Sequence, residues 1–266
     1  VTRFTVFGAS GYIGSRLAAH LRAQGHGVWA PARGDAGPWT RPLHHVLYCA
    51  GLTADFRTRP FDTVDAHVGL LAKVLRSARF ASLLYLSSTR VYLGAARTDE
   101  DAPLTVLPGD PSYLYNLSKL TGEALCHASA RAGVRVARLS NVVGPAMQAG
   151  PDSLVADLLR QARQGHVLLR SDPRSAKDYV HIADLLDWLP RIALAGRAPV
   201  YNVASGVQTT HAQWIAWLQE RTGCSVQWPE DAPRQSFAPI AVQRLQAEWG
   251  VQPRPLFAAL DSDAPP

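Results

Sequence analysis

Cysteine and lysine are both scarce in this chain, and each scarcity narrows what the protein can be. The three cysteines, Cys49, Cys126 and Cys224, are odd in number, far apart and free of any Cys-x-x-Cys pair. They offer neither a disulfide framework nor a thiolate zinc site, so buried reduced thiols are expected. Lysine occurs only at Lys73, Lys119 and Lys177. The other cations are arginines, scattered with no basic run and no interleaved aromatics. The 27 Lys plus Arg against 21 Asp plus Glu give a formal +6, but this arrangement argues against a nucleic-acid partner, because a phosphate-bearing small molecule needs only a few such groups. The nine histidines show no His-Glu-x-x-His or comparable spacing, so no metal is expected. No stretch approaches the roughly 18 unbroken apolar residues of a membrane helix. Val1-Thr2-Arg3-Phe4 leads straight into a strand pattern rather than a signal peptide. A cytoplasmic protein with no membrane partner is the expectation.

What is present is apolar periodicity that keeps changing period. A chain of 266 residues, 47% of them hydrophobic, can bury the core of one large domain, or of a main domain with a smaller lobe. Phe4–Phe7 reads as a strand and Ile13, Leu17, Ala18 and Leu21 as one face of a helix, broken at Gly25-His26-Gly27. Strand patterns follow at 28–30, 46–50, 83–86 and 134–139, with helical periods over Val64–Ala78 and Leu114–Ala130 and a Pro/Asp-rich loop over Asp99–Pro111 between them. The alternation predicts an α/β fold, a Rossmann-like doubly wound parallel sheet with helices on both faces. Beyond Gly144-Pro145 the pattern loosens into a helix around Ser153–Gln164, a short strand at 167–169 and Pro-containing turns, as in a smaller lobe. The last residues, Asp261–Pro266, are expected to fray.

The run Val6-Phe7-Gly8-Ala9-Ser10-Gly11-Tyr12-Ile13-Gly14 places three glycines between the first strand and the first helix. Glycine allows the tight turn and the close approach of backbone to a pyrophosphate, and the free amides of the helix start attract negative charge. An ordinary glycine turn would look the same in isolation; its position gives it weight. At the end of the second strand, where a carboxylate would grip the ribose of NAD, stand Ala32 and Arg33. This favours NADP over NAD through a guanidinium able to pair with a 2′-phosphate. Asp35 is close enough to act instead as a displaced ribose ligand.

Tyr115-Asn116-Leu117-Ser118-Lys119 sets a phenol and an ammonium four residues apart, on one helix face. A free phenol has a pKa near about 10 and shuttles protons poorly at neutral pH unless a neighbouring cation stabilises its phenolate, as Lys119 can. Upstream, Ser87-Ser88-Thr89 falls at the carboxyl end of a strand, where ligands bind in open α/β sheets and a hydroxyl can hold a substrate oxygen. Such clusters also form turns.

Glycine trio, hydroxyl cluster and Tyr-x-x-x-Lys, in this order on these elements, resemble the extended short-chain dehydrogenase/reductase family, in its NAD-dependent epimerase/dehydratase, nucleotide-sugar branch. Arg138–Pro145 resembles that branch's strand-end segment, Lys177–Asp184 its return into the main domain, and Tyr201–Gly206 and Trp249–Pro253 two later signatures. The resemblance implies a dinucleotide-binding domain over 1–145, rejoined by 175–206, and a substrate lobe over 146–174 and 207–261. It implies Ser88 as the catalytic hydroxyl with Thr89 the fallback, Tyr115 as acid/base, and Lys119 lowering its pKa and holding the nicotinamide ribose. Cofactor contacts fall to Gly8, Ser10, Gly11, Tyr12, Ile13, Gly14, Arg33, Ala50, Gly51, Ser87, Tyr115 and Lys119, and substrate contacts to Ser88, Thr89, Tyr115 and Asn141. A homodimer through helices 64–78 and 114–130 is implied as well.

Two departures stand out. Only Gly34–His45 separates the second strand from Val46, compressing the usual third strand and helix and leaving no counterpart for the acidic residue that meets adenine. Thr89-Arg90 replaces the Asp-Glu of the dehydratases, which argues against dehydration. Reduction of a keto sugar, its reversal, or epimerisation remain. The same machinery on a non-sugar ketone and a dinucleotide-sensing protein without chemistry are the alternatives.

Overall fold

The computed structural model describes residues 1–52, 56–145, 147, 153–235 and 237–263. In chain order the elements are β1 (Arg3–Phe7), α1 (Tyr12–Ala23), β2 (Gly27–Trp29), α2 (Gly37–Thr40), β3 (His45–Tyr48), α3 (Pro60–Val64), α4 (Leu70–Ser77), β4 (Ser82–Ser88), α5 (Leu114–Ala128), β5 (Val134–Leu139), β6 (Asn141–Val143), α6 (Leu154–Arg163), β7 (His166–Leu168), β8 (Ala176–His181), α7 (Ile182–Ala195), β9 (Val200–Val203), β10 (Gln208–Thr210), α8 (His211–Thr222), β11 (Ser225–Gln227), α9 (Gln243–Trp249) and α10 (Leu256–Asp263).

Six strands pair in the order β2-β1-β3-β4-β5-β9, all parallel. Strands covered on both faces need continuous apolar runs, and β4, with Leu83 to Leu86 all buried, has one. On one face Leu17, Leu21, Leu185, Leu189 and Ile192 of α1 and α7 pack with Val6, Leu47, Leu84 and Ala137 of the sheet. On the other, Leu71, Val74, Leu75 and Cys126 of α4 and α5 pack with Val46, Tyr48, Leu83 and Tyr85. The Rossmann-like parallel sheet expected from the alternation is therefore present. A second core forms around Trp214 of α8, which is fully buried and stands edge-on to Tyr179, Trp217 and Phe257. Among the described residues no helix is long and apolar enough to cross a membrane.

The structure alters several details of the sequence reading. The helix expected over Val64–Ala78 begins at Pro60 and contains a π turn at Asp65–Gly69, and His67 is buried while Val68, expected on the inner face, is half-buried. A π turn carries one extra residue and rotates the helix beyond it, a change that no periodic pattern announces. In the return segment, β8 pairs with β6 and β10 in a separate three-stranded sheet, while α7 covers β3, β4 and β5 and β9 extends the main sheet. Asp261–Asp263 do not fray: they end α10, with Asp261 bound to Arg221 and Trp217 and Asp263 to His181. The remainder of that expected tail, 264–266, lies outside the described residues, as does the start of the expected lobe at Ala146 and 148–152.

Candidate active site

After β1 the chain moves to β2 on one side and then returns to β3 on the other. The strand order thus reverses at β1/β3, and a crevice opens at the carboxyl ends of those strands. The glycines there are required by contact. Gly8 has φ +76°, and a Cβ on it would lie 2.6 Å from Ala50 N and Cys49 O, while one on Gly14 would lie 2.3 Å from Gly8 O. The first contact presses the turn onto the end of β3, and the second presses α1 onto the turn. Gly11 is looser, with Gly8 O at 3.4 Å from its added Cβ, and it begins α1 with no side-chain capping bond. Ser10 and Gly11 are exposed, with Tyr12 and Ile13 half-buried beside them. The first amides of α1 thus have no acceptor from a capping side chain, and with the bare turn they form a cradle that fits a pyrophosphate.

Lys119 is buried on α5, where its Nζ donates to Leu86 O at 2.9 Å and stands 5.8 Å from the centroid of the Tyr115 ring. A Cβ on Gly51, just beyond β3, would come within 3.4 Å of that Nζ. Backbone contact at Ala50 and the Gly51–Lys119 approach therefore join the glycine turn and the Tyr-x-x-x-Lys helix in one crevice. Burial pushes the Lys119 pKa down to about 7, against the pull of Glu123 and Cys49 in the other direction. In the unfolded chain the same amine keeps its ordinary high pKa, so between the two values the unfolded state binds more protons and stability rises with pH. Lys119→Met is accordingly expected to be more stable than the parent by on the order of 4 kcal/mol below neutral pH, a difference that shrinks steadily as pH rises from 7 towards 10.5. Urea unfolding across that range checks it; a difference independent of pH would contradict it.

Ser88 is half-buried and its Oγ accepts the Arg90 N–H at 3.2 Å, starting a 3₁₀ turn over Thr89–Tyr92. Arg90 Nε donates to Asn116 Oδ1 at 3.1 Å and Asn116 Nδ2 donates to Arg90 O at 3.0 Å. The turn bearing Ser88 and Thr89 is thereby latched to the residue following Tyr115. Strand alternation sends Ser87 to the other face, where its hydroxyl is buried and donates to Glu123; any cofactor contact there falls to its backbone. Asn141 is exposed on β6, with Nδ2 donating to Asp178 O at 2.8 Å. Arg33 is exposed beyond β2, and Asp35 accepts from the Gly37 N–H at 2.7 Å. Among the described residues no group of His, Cys, Asp or Glu is placed to hold a metal.

Three participants escaped the sequence reading. Glu123 stands one turn beyond Lys119, so Tyr115, Lys119 and Glu123 share a stripe of α5; the spacing was visible, but nothing marked Glu123 as buried. Its carboxylate takes Arg138 NH2 at 2.7 Å and Nε at 3.1 Å, and Arg138 NH1 reaches Tyr92 OH at 2.7 Å. Phe56 packs on Tyr115 with ring centroids 5.5 Å apart. His67 is the third: it stands four residues before Leu71 on the buried stripe that continues through Val74 and Leu75, but a polar side chain there did not read as part of it.

A doubly wound sheet whose switch point carries a glycine cradle and a buried Tyr/Lys pair defines a dinucleotide-binding class of fold. The chain belongs to the NAD dependent epimerase/dehydratase family, whose model matches residues 4–204. It is 24% identical over 238 residues to a dTDP-4-dehydro-6-deoxy-D-allose reductase of Streptomyces sp, covering 82% of this chain and 72% of that protein. It is 22% identical over 253 residues to UDP-glucuronic acid decarboxylase 4 of Arabidopsis thaliana, covering 83% of this chain but only 57% of that one. Among solved structures, MoeE5 in complex with UDP-glucose and NAD superposes with a TM-score of 0.78 at 23% identity, over 99% of this chain and 97% of that one.

Proposed function

We propose that the protein is an NAD(P)-dependent oxidoreductase or epimerase acting at a hydroxyl or keto carbon of a nucleotide-linked sugar, as a 4-keto reductase or a 4-epimerase does. The observation that carries this reading is the buried Lys119 ammonium, 5.8 Å from the Tyr115 ring and bordering Gly51 at the mouth of the sheet. The pyrophosphate of a dinucleotide would be held at Gly8, Ser10, Gly11, Tyr12, Ile13 and Gly14, and its nicotinamide end at Ala50, Gly51, the Ser87 backbone, Tyr115 and Lys119. Bound there, it supplies the hydride donor or acceptor.

The chain's own residues manage the proton. Tyr115 gives one to, or takes one from, the substrate oxygen, while Ser88 holds that oxygen, with Thr89 and Asn141 lining the sugar. While Lys119 holds its proton, below its titration near 7, a unit positive charge at roughly 6 Å and an effective dielectric of about 20 favours a phenolate by about 3 kcal/mol, roughly a hundredfold in ionisation. Elimination of water is not part of the proposal. A guanidinium at Arg90 and a hydroxyl at Thr89 offer no carboxylate to remove a carbon-bound proton. The relatives, a dTDP-linked keto-sugar reductase and a protein in complex with UDP-glucose, support a nucleotide sugar as substrate.

NADP is the proposed preference. Arg33 is exposed at the ribose end, and Asp35, its competitor as a ribose ligand, has an oxygen occupied by Gly37. Arg33→Ala is expected to raise KM for NADPH about tenfold, the value of one charge-assisted hydrogen bond, and to leave KM for NADH within about twofold. Equal effects on both would refute the preference. The same reading includes a homodimer through α3, α4 and α5, supported by Phe61 and Val64 on α3, which are 85% and 38% exposed. It also includes a cytoplasmic setting, in keeping with three free cysteines. Incubation with NADPH or NADH and a panel of nucleotide-linked 4-keto sugars, following absorbance loss and product stereochemistry, tests the activity. Dinucleotide binding without turnover of any of them would replace it with a sensing role.

A further inference from the structure

The helical segment over Pro60–Ser77 leaves α geometry at a single place, the π turn Asp65–Gly69, and that place faces the Tyr/Lys pair. The turn is tied to the sheet by Tyr48 OH, which donates to Ala66 O at 2.6 Å. Its inward residue, His67, is wholly buried. The imidazole Nδ1 lies 2.8 Å from Ser118 Oγ, and Ser118 Oγ lies 2.9 Å from the Tyr115 carbonyl oxygen, to which it can donate. The ring stands edge-on to the Tyr115 phenol, with centroids 5.4 Å apart and planes at 83°. A Cβ on Gly51 would lie 2.9 Å from His67 Nε2 and 3.4 Å from Lys119 Nζ, so imidazole and ammonium border the same small space. Nε2 is buried with no hydrogen-bond partner among the described residues, although the Leu52 backbone is within electrostatic reach.

We propose that His67 is a positioning residue for the Tyr115/Lys119 pair, a neutral wedge that fixes the first turn of α5 through Ser118 and confines the Lys119 ammonium to the side of the phenol. The inference rests on the proposed roles of those two residues. The charges around the imidazole explain why it must be neutral. Lys119 and Tyr115 face it from α5, with Glu123 beyond Lys119, and Cys49 and Tyr85 approach Lys119 from β3 and β4. A cation at His67 would repel Lys119, and a carboxylate would pair with it and cancel its pull on Tyr115. Burial, reinforced by the Lys119 charge, pushes the His67 pKa down to about 2, so the ring stays uncharged across the working pH range.

The test uses two readouts on His67→Ala, His67→Asn and Ser118→Ala. The first is ionisation of Lys119 in dinucleotide-free protein, followed by NMR of isotope-labelled lysine, of which the chain has three, with Lys119→Met as the blank. The second is steady-state kinetics. Freed of its wall, Lys119 gains access to solvent, so His67→Ala is expected to move the Lys119 titration about one pH unit up from about 7, back towards the ordinary lysine value. It should also cut kcat about a hundredfold with KM nearly unchanged, as small misplacements of catalytic groups do. His67→Asn, whose amide can still reach Ser118, should recover most of both, and Ser118→Ala should be strongly non-additive with His67→Ala. An unmoved Lys119 titration in His67→Ala overturns the proposal, whether kcat is retained or falls in step with melting temperature. Because the titration needs no sugar, it decides the role of His67 even if no nucleotide sugar proves to be a substrate.

Discussion

Replacing Tyr115 by phenylalanine is expected to lower kcat by about a thousandfold, within the range removed with a general acid/base, while dinucleotide affinity stays within about threefold. The phenyl ring keeps the packing against Phe56 and His67, so the substitution deletes one hydroxyl and little else. If the phenol moves the proton, the residual activity should also lose the pH dependence contributed by its ionisation. Ser88→Ala should cost less, since it removes a hydrogen bond to the substrate oxygen and leaves the proton path in place. Single-turnover rates with saturating dinucleotide and sugar separate the chemical step from binding. A Tyr115→Phe enzyme with near-normal turnover would end the proposed mechanism.

The largest loss of stability is expected at Glu123. Its carboxylate and the Arg138 guanidinium face each other at 4% and 6% side-chain exposure, with Ser87 and Tyr92 completing their hydrogen bonds. Breaking such a pair leaves an uncompensated buried charge, and Glu123→Ala should lose about 3–5 kcal/mol in urea unfolding. The loss comes mainly from stranding Arg138, so the double variant Glu123→Ala/Arg138→Met should recover much of it. Recovery of stability without full recovery of kcat would be the signature of a second role, because Glu123 also favours the charged form of Lys119. Glu123→Ala with unchanged stability would mean that water or another group satisfies Arg138.

Much of this arrangement was legible in the residues. The alternation of periods gave the parallel sheet because strands covered on both faces must be apolar throughout, and the glycine spacing located the turn because Gly8 and Gly14 meet backbone that no side chain could share. Tyr115 and Lys119 were legible because four residues is one helical turn. What stayed hidden depended on contacts between distant segments. Glu123 reads as a surface residue until Arg138 of β5 is opposite it. His67 reads as a polar helix residue although it lies on the same face as Leu71 and Val74, because nothing in the sequence shows that Ser118 waits opposite it. Ser87 and Ser88 look equivalent in sequence and are separated only by the pleat, which turns one hydroxyl to Glu123 and leaves the other on the turn tied to Asn116. Asp261 and Asp263 were misread for a related reason: they pair with Arg221 and His181.

The sheet ends at β2 with only three residues, flanked by the four-residue α2 and by Arg41 stacked 3.5 Å over Trp29. No further strand stands outside it among the described residues, so where the proposed ribose would lie the groups are surface groups such as Arg33 and Asp35. Coenzyme choice and foldedness are then separable traits in this chain. On the proposed placement of the dinucleotide, an exchange of one for the other asks for changes at exposed side chains, which leaves that choice open to drift or redesign while the interior stays as it is.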